Sequence, residues 1–244
     1  MVALLVTSLR PRVPVEVNAR RAWRLPGLAL LAAILTLTPA MPTRAETDRD
    51  IALIAAAREG DLGRVEALLV AGASAKARGR RGATALIAAA YGGHNTVARR
   101  LIAAGAEVDA EDDTPQGALM IACVRNNVDL VRIMVAAGAD VNASNQYGGN
   151  CIIPAAERGH VEVVREMLKT RIRVNHINRL GWTALLEAVI LGNGGPRHVE
   201  IVRLLVAGGA DVNIADREGV SPLVHARQRN FTEIVGILER AGAR

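Results

Sequence analysis

The chain has 244 residues, of which 50% are apolar but only 2% aromatic, and it carries a formal net charge of +6. A β sandwich favours aromatic and β-branched side chains, so this alanine-rich composition argues against one and suits small, closely packed helices. The length allows one domain with a sizeable core or one linear array.

Most of the positive charge belongs to the N-terminal segment. Residues 1–45 hold six arginines and one glutamate, which leaves 24 basic and 23 acidic residues in the remainder, a net charge of +1. The basic balance is therefore not the footprint of a nucleic-acid-binding protein, and we expect no nucleic-acid partner.

Residues 1–45 predict a secretory signal peptide. Three arginines, Arg20, Arg21 and Arg24, precede an apolar run at residues 27–38 that is shorter than a membrane span of roughly 20 residues. A small-x-small cleavage pattern, Thr43-Arg44-Ala45, follows the run. We therefore expect an exported protein, periplasmic or secreted, without a stable membrane span after signal cleavage.

Some features of this segment stay open. An uncleaved single-pass anchor and a twin-arginine signal at Arg20-Arg21 are alternatives to a cleaved signal. The stretch before Arg20 is long for a leader, so the true start codon could lie downstream. An excess of arginine over lysine, 28 to 2, favours a Gram-negative bacterium as the source and its periplasm as the location.

The remainder of the chain repeats itself. Gly72, Gly105 and Gly138 each precede alanine and are spaced by 33 residues, and after two further steps the pattern returns at Gly209 and Gly242. Gly209 lies five residues later than the period predicts, which identifies residues 193–197 as an insertion. A fixed period of this length is typical of a stacked repeat array, because one such unit cannot bury its apolar face alone.

Each unit has the same order of parts: a glycine-containing turn, a short apolar helix, a Gly-His type junction, a second amphipathic helix and a closing Gly-Ala-Asp-Val-Asn. This pattern resembles the ankyrin repeat, and the matching stretches are Gly181-Trp-Thr-Ala-Leu185, Gly219-Val-Ser-Pro-Leu223, Gly159-His-Val-Glu-Val-Val164 and Gly138-Ala-Asp-Val-Asn142. The resemblance covers about residues 50–242.

The resemblance implies an all-α fold, an ankyrin-repeat solenoid of about six helix-turn-helix repeats with β-turn fingers. The boundaries would be 46–78, 79–111, 112–144, 145–177, 178–215 with the insertion 193–197, and 216–244. The insertion falls between a first helix at Thr183–Leu191 and a second helix at His198–Gly208. Its Asn-Gly-Gly-Pro sequence predicts an exposed loop whose deletion costs little stability.

The sequence predicts no catalytic residue, no cofactor and no metal. His94, His160 and His198 share one repeat position at the start of the second helix, where they serve capping and packing, and they lack metal-ligand spacing. Glu187 and His225 share another position in adjacent repeats. They could form a catalytic dyad, but no nucleophile accompanies them, so we favour a buried hydrogen bond between the repeats.

The two cysteines, Cys123 and Cys151, belong to the first helices of neighbouring repeats and are offset by five positions. With helices about 8–10 Å apart and an axial offset of about 7.5 Å, the Cα separation would be near 12 Å, beyond the roughly 7 Å limit for a disulfide. We therefore predict two free, largely buried thiols.

The expected function is a non-catalytic protein-protein interaction module, a monomer that binds a partner protein. The resemblance implies contacts through the fingers and the ends of the first helices, positions that also include Arg80 and Arg81. Three of the four aromatic residues beyond residue 45 fall at these positions, and Tyr, Trp and Arg are enriched in binding hot spots. The predicted partner-binding residues are Tyr91, Arg125, Tyr147, Arg158, Arg179, Trp182, Ile190, Leu191 and Arg217.

An alternative is a small-molecule-binding or enzymatic protein that uses a pocket in repeats four and five. Pro154 falls early in the first helix of repeat four and either unwinds its first turn or reshapes a pocket. This alternative predicts an enclosed cavity near Asn150, Pro154 and Glu187.

Overall fold

A computed structural model describes residues 44–244, without the side chains of residues 45 and 46, so nearly all of the predicted signal peptide lies outside the described residues. Within them the chain forms twelve α-helices in sequence: α1 (Arg44–Glu59), α2 (Leu62–Val70), α3 (Ala85–Gly92), α4 (Asn95–Ala103), α5 (Ala118–Val124), α6 (Val128–Ala136), α7 (Ile152–Glu157), α8 (Val161–Leu168), α9 (Ala184–Ile190), α10 (Pro196–Ala207), α11 (Pro222–Gln228) and α12 (Thr232–Arg240).

These helices form six consecutive pairs, which we call repeats one to six, each with a first and a second helix. The predicted all-α solenoid of helix-turn-helix repeats is confirmed. In residues 44–244 the recorded β pairing is one isolated bridge, between Glu111 and Gly117. No helix in that range combines the length and the apolarity that a membrane crossing requires.

The first helices begin at residues that cap them. Thr84, Thr183 and Ser221 each accept a hydrogen bond from the backbone N–H three residues later, at 3.2, 3.2 and 3.4 Å. Such caps satisfy donors that the first turn of a helix leaves unpaired. The helices after Thr84 and Thr183 are almost entirely buried, with all of residues 85–90 and 184–189 buried, whereas α11 in the last repeat leaves Val224, Arg227 and Gln228 exposed.

A single core runs through the whole array. Small side chains of the first helices, such as Ala88, Ala122 and Ala188, are at most 1% exposed and allow neighbouring helices to approach closely. The second helices contribute one apolar face each, with Leu101, Leu130 and Met167 fully buried between repeats. Burial of this kind is the main stabilising term, and it is shared between repeats.

The closing asparagine of the repeat has a structural role. Asn142, Asn175 and Asn213 each accept, through Oδ1, a hydrogen bond from a backbone N–H of the following repeat, at 2.8 to 2.9 Å. Asp109 of repeat two does the same for repeat three, with Asp140 N–H as the donor. The asparagine of the recurring Val-Asn therefore forms a hydrogen bond that links one repeat to the next.

The cysteines contradict the prediction of free thiols. Cys123, near the end of α5, and Cys151, just before α7, form a disulfide with their Cα atoms 5.9 Å apart. The estimate of about 12 Å assumed parallel helices lying side by side in register. Cys151 Sγ also lies 3.7 Å from the carbonyl oxygen of Leu119, one turn before Cys123, so the start of α7 packs directly against the backbone of α5.

The first helix of repeat four is irregular, as Pro154 predicts. Its first turn is tight, because Ile153 N–H donates a hydrogen bond to the carbonyl oxygen of Asn150, only three residues earlier, at 3.1 Å. Cys151, just ahead of α7, already has a helical conformation. Pro154 lies in the first turn, where its missing N–H costs least. The Oδ1 atom of Asn150 is buried without a hydrogen-bond partner among the described residues.

The insertion is only partly the exposed loop that its sequence predicts. Its last residues lengthen the second helix, which begins at Pro196 rather than at His198. Gly194 lies against the ring of Phe231 in repeat six, and Asn193 Oδ1 lies 2.9 Å from His198 Nδ1. The loop therefore packs partly against the next repeat, although Asn193, Pro196 and Arg197 are exposed, and the small cost of its deletion stays a prediction.

Candidate partner-binding groove

The turns that precede the first helices form a row of fingers at residues 79–83, 112–116, 145–149, 178–182 and 216–220. Backbone hydrogen bonds join adjacent fingers: Asp113 N donates to Arg81 O at 3.0 Å, and Arg179 N donates to Tyr147 O at 2.9 Å. The surface between the fingers and the first helices is the groove to which the predicted partner-binding residues belong.

Most of the predicted partner-binding residues are exposed. Tyr147 is 59% exposed, Leu191 49% and Tyr91 39%, and the arginines Arg125, Arg158, Arg179 and Arg217 are exposed as well. Trp182 and Ile190 are half-buried, so they differ from the freely exposed residues that the sequence suggests. The role of these residues in partner binding stays a prediction.

Two apolar residues of this surface were missed from the sequence. Leu180 and Ile177, in and just before the finger of repeat five, are 49% and 50% exposed. Leu180 lies 33 residues after Tyr147, so the two occupy equivalent finger-tip positions in neighbouring repeats. The repeat register was the signal that could have identified Leu180.

The arginines of the fingers partly hold the fingers together. Arg179 donates to Gln146 O at 2.8 Å, and Arg217 donates to the carbonyl oxygen of Arg179. Arg158 lies 3.9 Å from the carboxylate of Glu157. These three guanidinium groups therefore have contacts of their own, although each side chain remains accessible.

At the other end of the groove, Tyr91 reaches across to the finger of repeat three. Its hydroxyl lies 3.3 Å from Asp112 Oδ2 and 3.4 Å from Gln116 Oε1. Burial and the adjacent charge of Asp112 raise the pKa of Tyr91, so its hydroxyl stays protonated and can donate.

Glu187 and His225 do not bond to each other, which corrects the sequence-based interpretation. Asn178 Nδ2 donates to Glu187 Oε1 at 2.9 Å, and His225 Nε2 lies 2.6 Å from Asp216 Oδ2. In both repeats the finger residue nine positions earlier is the partner, so each contact stays within its own repeat.

Glu187 is 4% exposed, and its surroundings disfavour its charge. Burial, reinforced by the nearby carboxylate of Glu157, raises the pKa of Glu187 to about 7, against the opposing effect of the Asn178 hydrogen bond. Asn150 and Pro154 are buried too, and the Asn150 amide donates to Arg173 O at 3.1 Å.

The three histidines share a role that the sequence only partly specifies. The rings of His94, His160 and His198 each reach a carbonyl oxygen at the end of the preceding repeat's first helix, all at 3.0 Å. They connect repeats rather than capping helices with their side chains. Within residues 44–244, no three His, Cys, Asp or Glu side chains converge as metal ligands would.

Comparisons with known proteins agree with the observed geometry. A family model described as "Ankyrin repeats (3 copies)" matches residues 53–145, 119–216 and 155–243. The crystal structure of an ankyrin repeat domain from Acinetobacter baumannii AYE is similar, with 43% identity, a TM-score of 0.77, and coverage of 79% of this chain and 98% of that one. The human ASB11 ankyrin repeat domain matches with 25% identity and a TM-score of 0.67, over 79% of this chain and 84% of that domain.

One curated relative is similar over a shorter stretch. The ankyrin repeat protein YahD of Escherichia coli (strain K12) is 46% identical over 59 residues, which are 24% of this chain. The match spans only 29% of the length of that relative.

Proposed function

Because this chain belongs to the ankyrin-repeat family, we propose that it is an exported, non-catalytic module that binds a partner protein along its groove. The family supports protein partners in general terms. The groove, the export and the monomeric state are the specific parts of the proposal.

The observation that carries the proposal is the apolar character of the finger surface in repeats four and five. Tyr147 and Leu180, at equivalent finger-tip positions, are each about half exposed, and Trp182 lies half-buried in the same row of fingers. Large apolar side chains exposed together on a soluble protein are typical of an interaction site. Aromatic residues in such a patch are the ones that contribute most to binding.

Two further features support export. The sequence of residues 1–45 has the organisation of a signal peptide. The Cys123–Cys151 disulfide is of the kind that persists in an oxidising compartment such as a bacterial periplasm. Fusion of residues 1–45 to a reporter that folds only outside the cytoplasm tests export directly.

The binding surface is tested by Tyr147→Ala, Trp182→Ala and a matched control. The protein is cross-linked in cell envelopes, the captured partner is purified, and its affinity is measured against each variant. We expect Trp182→Ala and Tyr147→Ala each to weaken binding by about 2 kcal/mol or more. Val70→Ala removes an apolar side chain that is 85% exposed at the end of α2 and should leave affinity unchanged.

Thermal melting of each variant separates binding from folding. If Trp182→Ala lowers the melting temperature strongly while affinity per folded molecule is unchanged, Trp182 is a packing residue. If Tyr147→Ala and Val70→Ala are indistinguishable in affinity, the partner does not use this surface.

A further inference from the structure

A cleft of about 280 Å³ opens in the groove between repeats one, two and three. Its floor is apolar, with Ile87 and Ala88 from α3 and Ala83 from the adjacent finger. Three arginines line it: Arg58 from the end of α1, and Arg80 and Arg81 from the finger of repeat two. We call this site the arginine cleft.

The guanidinium groups of the arginine cleft are unpaired. Within residues 44–244, Arg58, Arg80 and Arg81 have no hydrogen bond or ion pair through their side chains. The arginines of the second helices behave differently: Arg132, Arg165 and Arg203 each bind carboxylates at 2.9 to 3.4 Å. Three unpaired cations around one apolar floor leave a site whose charge an anionic group would complement.

The acidic residue of the arginine cleft is already engaged. Asp112 Oδ1 accepts hydrogen bonds from the backbone and hydroxyl of Thr114 and from Gln116 N, and its Oδ2 lies 3.3 Å from the Tyr91 hydroxyl. Asp112 therefore orients Tyr91 and the finger without pairing with an arginine, and one carboxylate against three guanidinium groups leaves the arginine cleft with a net positive charge.

The backbone adds an independent observation. Arg81 has φ 57° and ψ 32°, in the left-handed region that a residue with a Cβ occupies at a cost. The equivalent finger residues Thr114, Tyr147, Leu180 and Glu218 have negative φ. Glycine or asparagine at position 81 would relieve this strain, and strained residues of this kind cluster at ligand-binding sites.

We propose that the arginine cleft binds a carboxylate-bearing side chain of an acidic, partly apolar segment of the partner protein. The inference rests on the proposed function and specifies the chemistry of the partner. The planar guanidinium fork pairs with carboxylates in bidentate fashion, and the floor of Ile87 and Ala83 accommodates the methylene groups of the same segment.

A protein carboxylate fits better than a nucleic-acid phosphate. Nucleic-acid binding requires a basic surface that follows several successive phosphates. Beyond the arginine cleft, Arg158, Arg179 and Arg217 are engaged by Glu157 or by finger carbonyl oxygens, and the exposed apolar residues Tyr147 and Leu191 interrupt the charge. Among the described residues the groove therefore offers no continuous run of unpaired cations.

The test measures direct binding of a short fluorescent peptide that alternates glutamate and leucine. Comparison probes are the same peptide with glutamine in place of glutamate, and a short single-stranded oligonucleotide. The variant is Arg58→Gln/Arg81→Asn, which removes two of the charges while asparagine tolerates the backbone conformation at position 81. The control is Arg99→Gln, which removes an exposed arginine of α4 outside the arginine cleft.

We expect the glutamate peptide to bind, the glutamine peptide to bind at least about tenfold more weakly, and the double variant to lose about tenfold or more in affinity. Because those arginines have no partners and position 81 is strained, the double variant should melt no lower than the wild type. A variant that keeps its fold and loses binding separates a ligand site from a structural role.

Several outcomes would overturn the inference. One is equal affinity for the glutamate and glutamine peptides, another is an equal loss in Arg99→Gln, and a third is tighter binding of the oligonucleotide. If the peptide fails while partner binding still depends on Tyr147, the arginine cleft is wrongly assigned and the proposed function stands. If the peptide binds but no captured partner depends on Tyr147 or Trp182, the proposed groove function fails separately.

Discussion

The glutamates of the two faces of the array have opposite electrostatic surroundings. On the second-helix face, Glu166 accepts hydrogen bonds from Arg132 and Lys169, and Glu200 accepts them from Arg203 and Arg165, which lowers the pKa of both carboxyls. In the first-helix layer, Glu187 is buried beside an amide and near another carboxylate, and its pKa is raised.

The difference shows how each layer is fastened. Consecutive second helices are joined by arginine–carboxylate pairs, at 2.9 Å for Arg132–Glu166 and 3.2 Å for Arg165–Glu200. The first helices are joined by apolar contacts between small side chains and by the Cys123–Cys151 disulfide. Since stacking of the first helices does not depend on ion pairs, arginines on the groove side can remain available to a partner.

The largest expected effect tests whether the first-helix layer depends on its disulfide. Replacing both Cys123 and Cys151 by alanine should lower the free energy of unfolding by about 3 kcal/mol, because the bond closes a loop of 28 residues in the unfolded chain. Urea unfolding with and without reductant measures this. Reductant should destabilise the wild type and leave the double variant unaffected; equal effects on both would mean that the bond does not form.

The disulfide also marks a limit of prediction from sequence. The 33-residue period determined the repeat order and the all-α fold, because stacking forces every unit into the same geometry. It could not give the distance from Cys123 to Cys151, which depends on how closely the start of α7 packs on α5. That approach is set by small side chains and by the tight first turn at Asn150, not by a periodic signal.

The repeat register predicted the groove residues only in part, as it did the cysteines. Equivalence between repeats located Tyr147 and Leu191 on an exposed surface. It misassigned Glu187 and His225, because a shared repeat position suggested a bond across repeats, whereas Asn178 and Asp216 reach these residues within the same repeat. Arg58 lies 33 residues before Tyr91 and therefore shares its repeat position, but the period could not show that Arg58 meets Arg80 and Arg81 at one cleft, because that depends on side-chain packing.

The second prediction uses the buried carboxyl. Below pH 4.5 Glu187 is protonated in both states; as pH rises from 4.5 to about 7 the unfolded state loses the proton first, so this group makes stability fall with pH. Glu187→Gln should therefore raise the free energy of unfolding by about 2 kcal/mol at pH above 7, and it should change that free energy little near pH 4.5.

Urea unfolding across this pH range measures the change, with Glu218→Gln as the control because Glu218 is an exposed finger residue. The comparison between the two faces is weakened if Glu187→Gln stabilises the protein equally at both ends of the range. It is also weakened if Glu218→Gln has the same pH dependence.

The third prediction concerns the insertion in repeat five, which packs against Phe231 of repeat six. Gly194 has φ +68°, and an added Cβ would lie 2.3 Å from the ring of Phe231. Gly219 has φ +77° with nothing within 4 Å of an added Cβ. Both alanine variants share the backbone strain, so Gly194→Ala should lose about 1–2 kcal/mol more stability than Gly219→Ala. Equal losses would show that the insertion does not pack on Phe231 in solution.

The smallest effect is expected on the second-helix face. Arg203 bridges Glu200 in its own helix, at 2.9 Å, and Glu233 in the next repeat, at 3.2 Å, and the side chains of Arg203 and Glu233 are more than half exposed. Exposed ion pairs contribute little because water screens them and because ordering long side chains costs entropy. Arg203→Gln should therefore lower the free energy of unfolding by less than about 1 kcal/mol, and by still less at high salt, where the attraction is screened. Urea is the suitable denaturant, since guanidinium is itself a salt. A loss as large as that of the disulfide, or one that salt does not reduce, would mean that these exposed pairs are not screened by water, and that charge contributes more than the buried apolar faces to holding the second helices together.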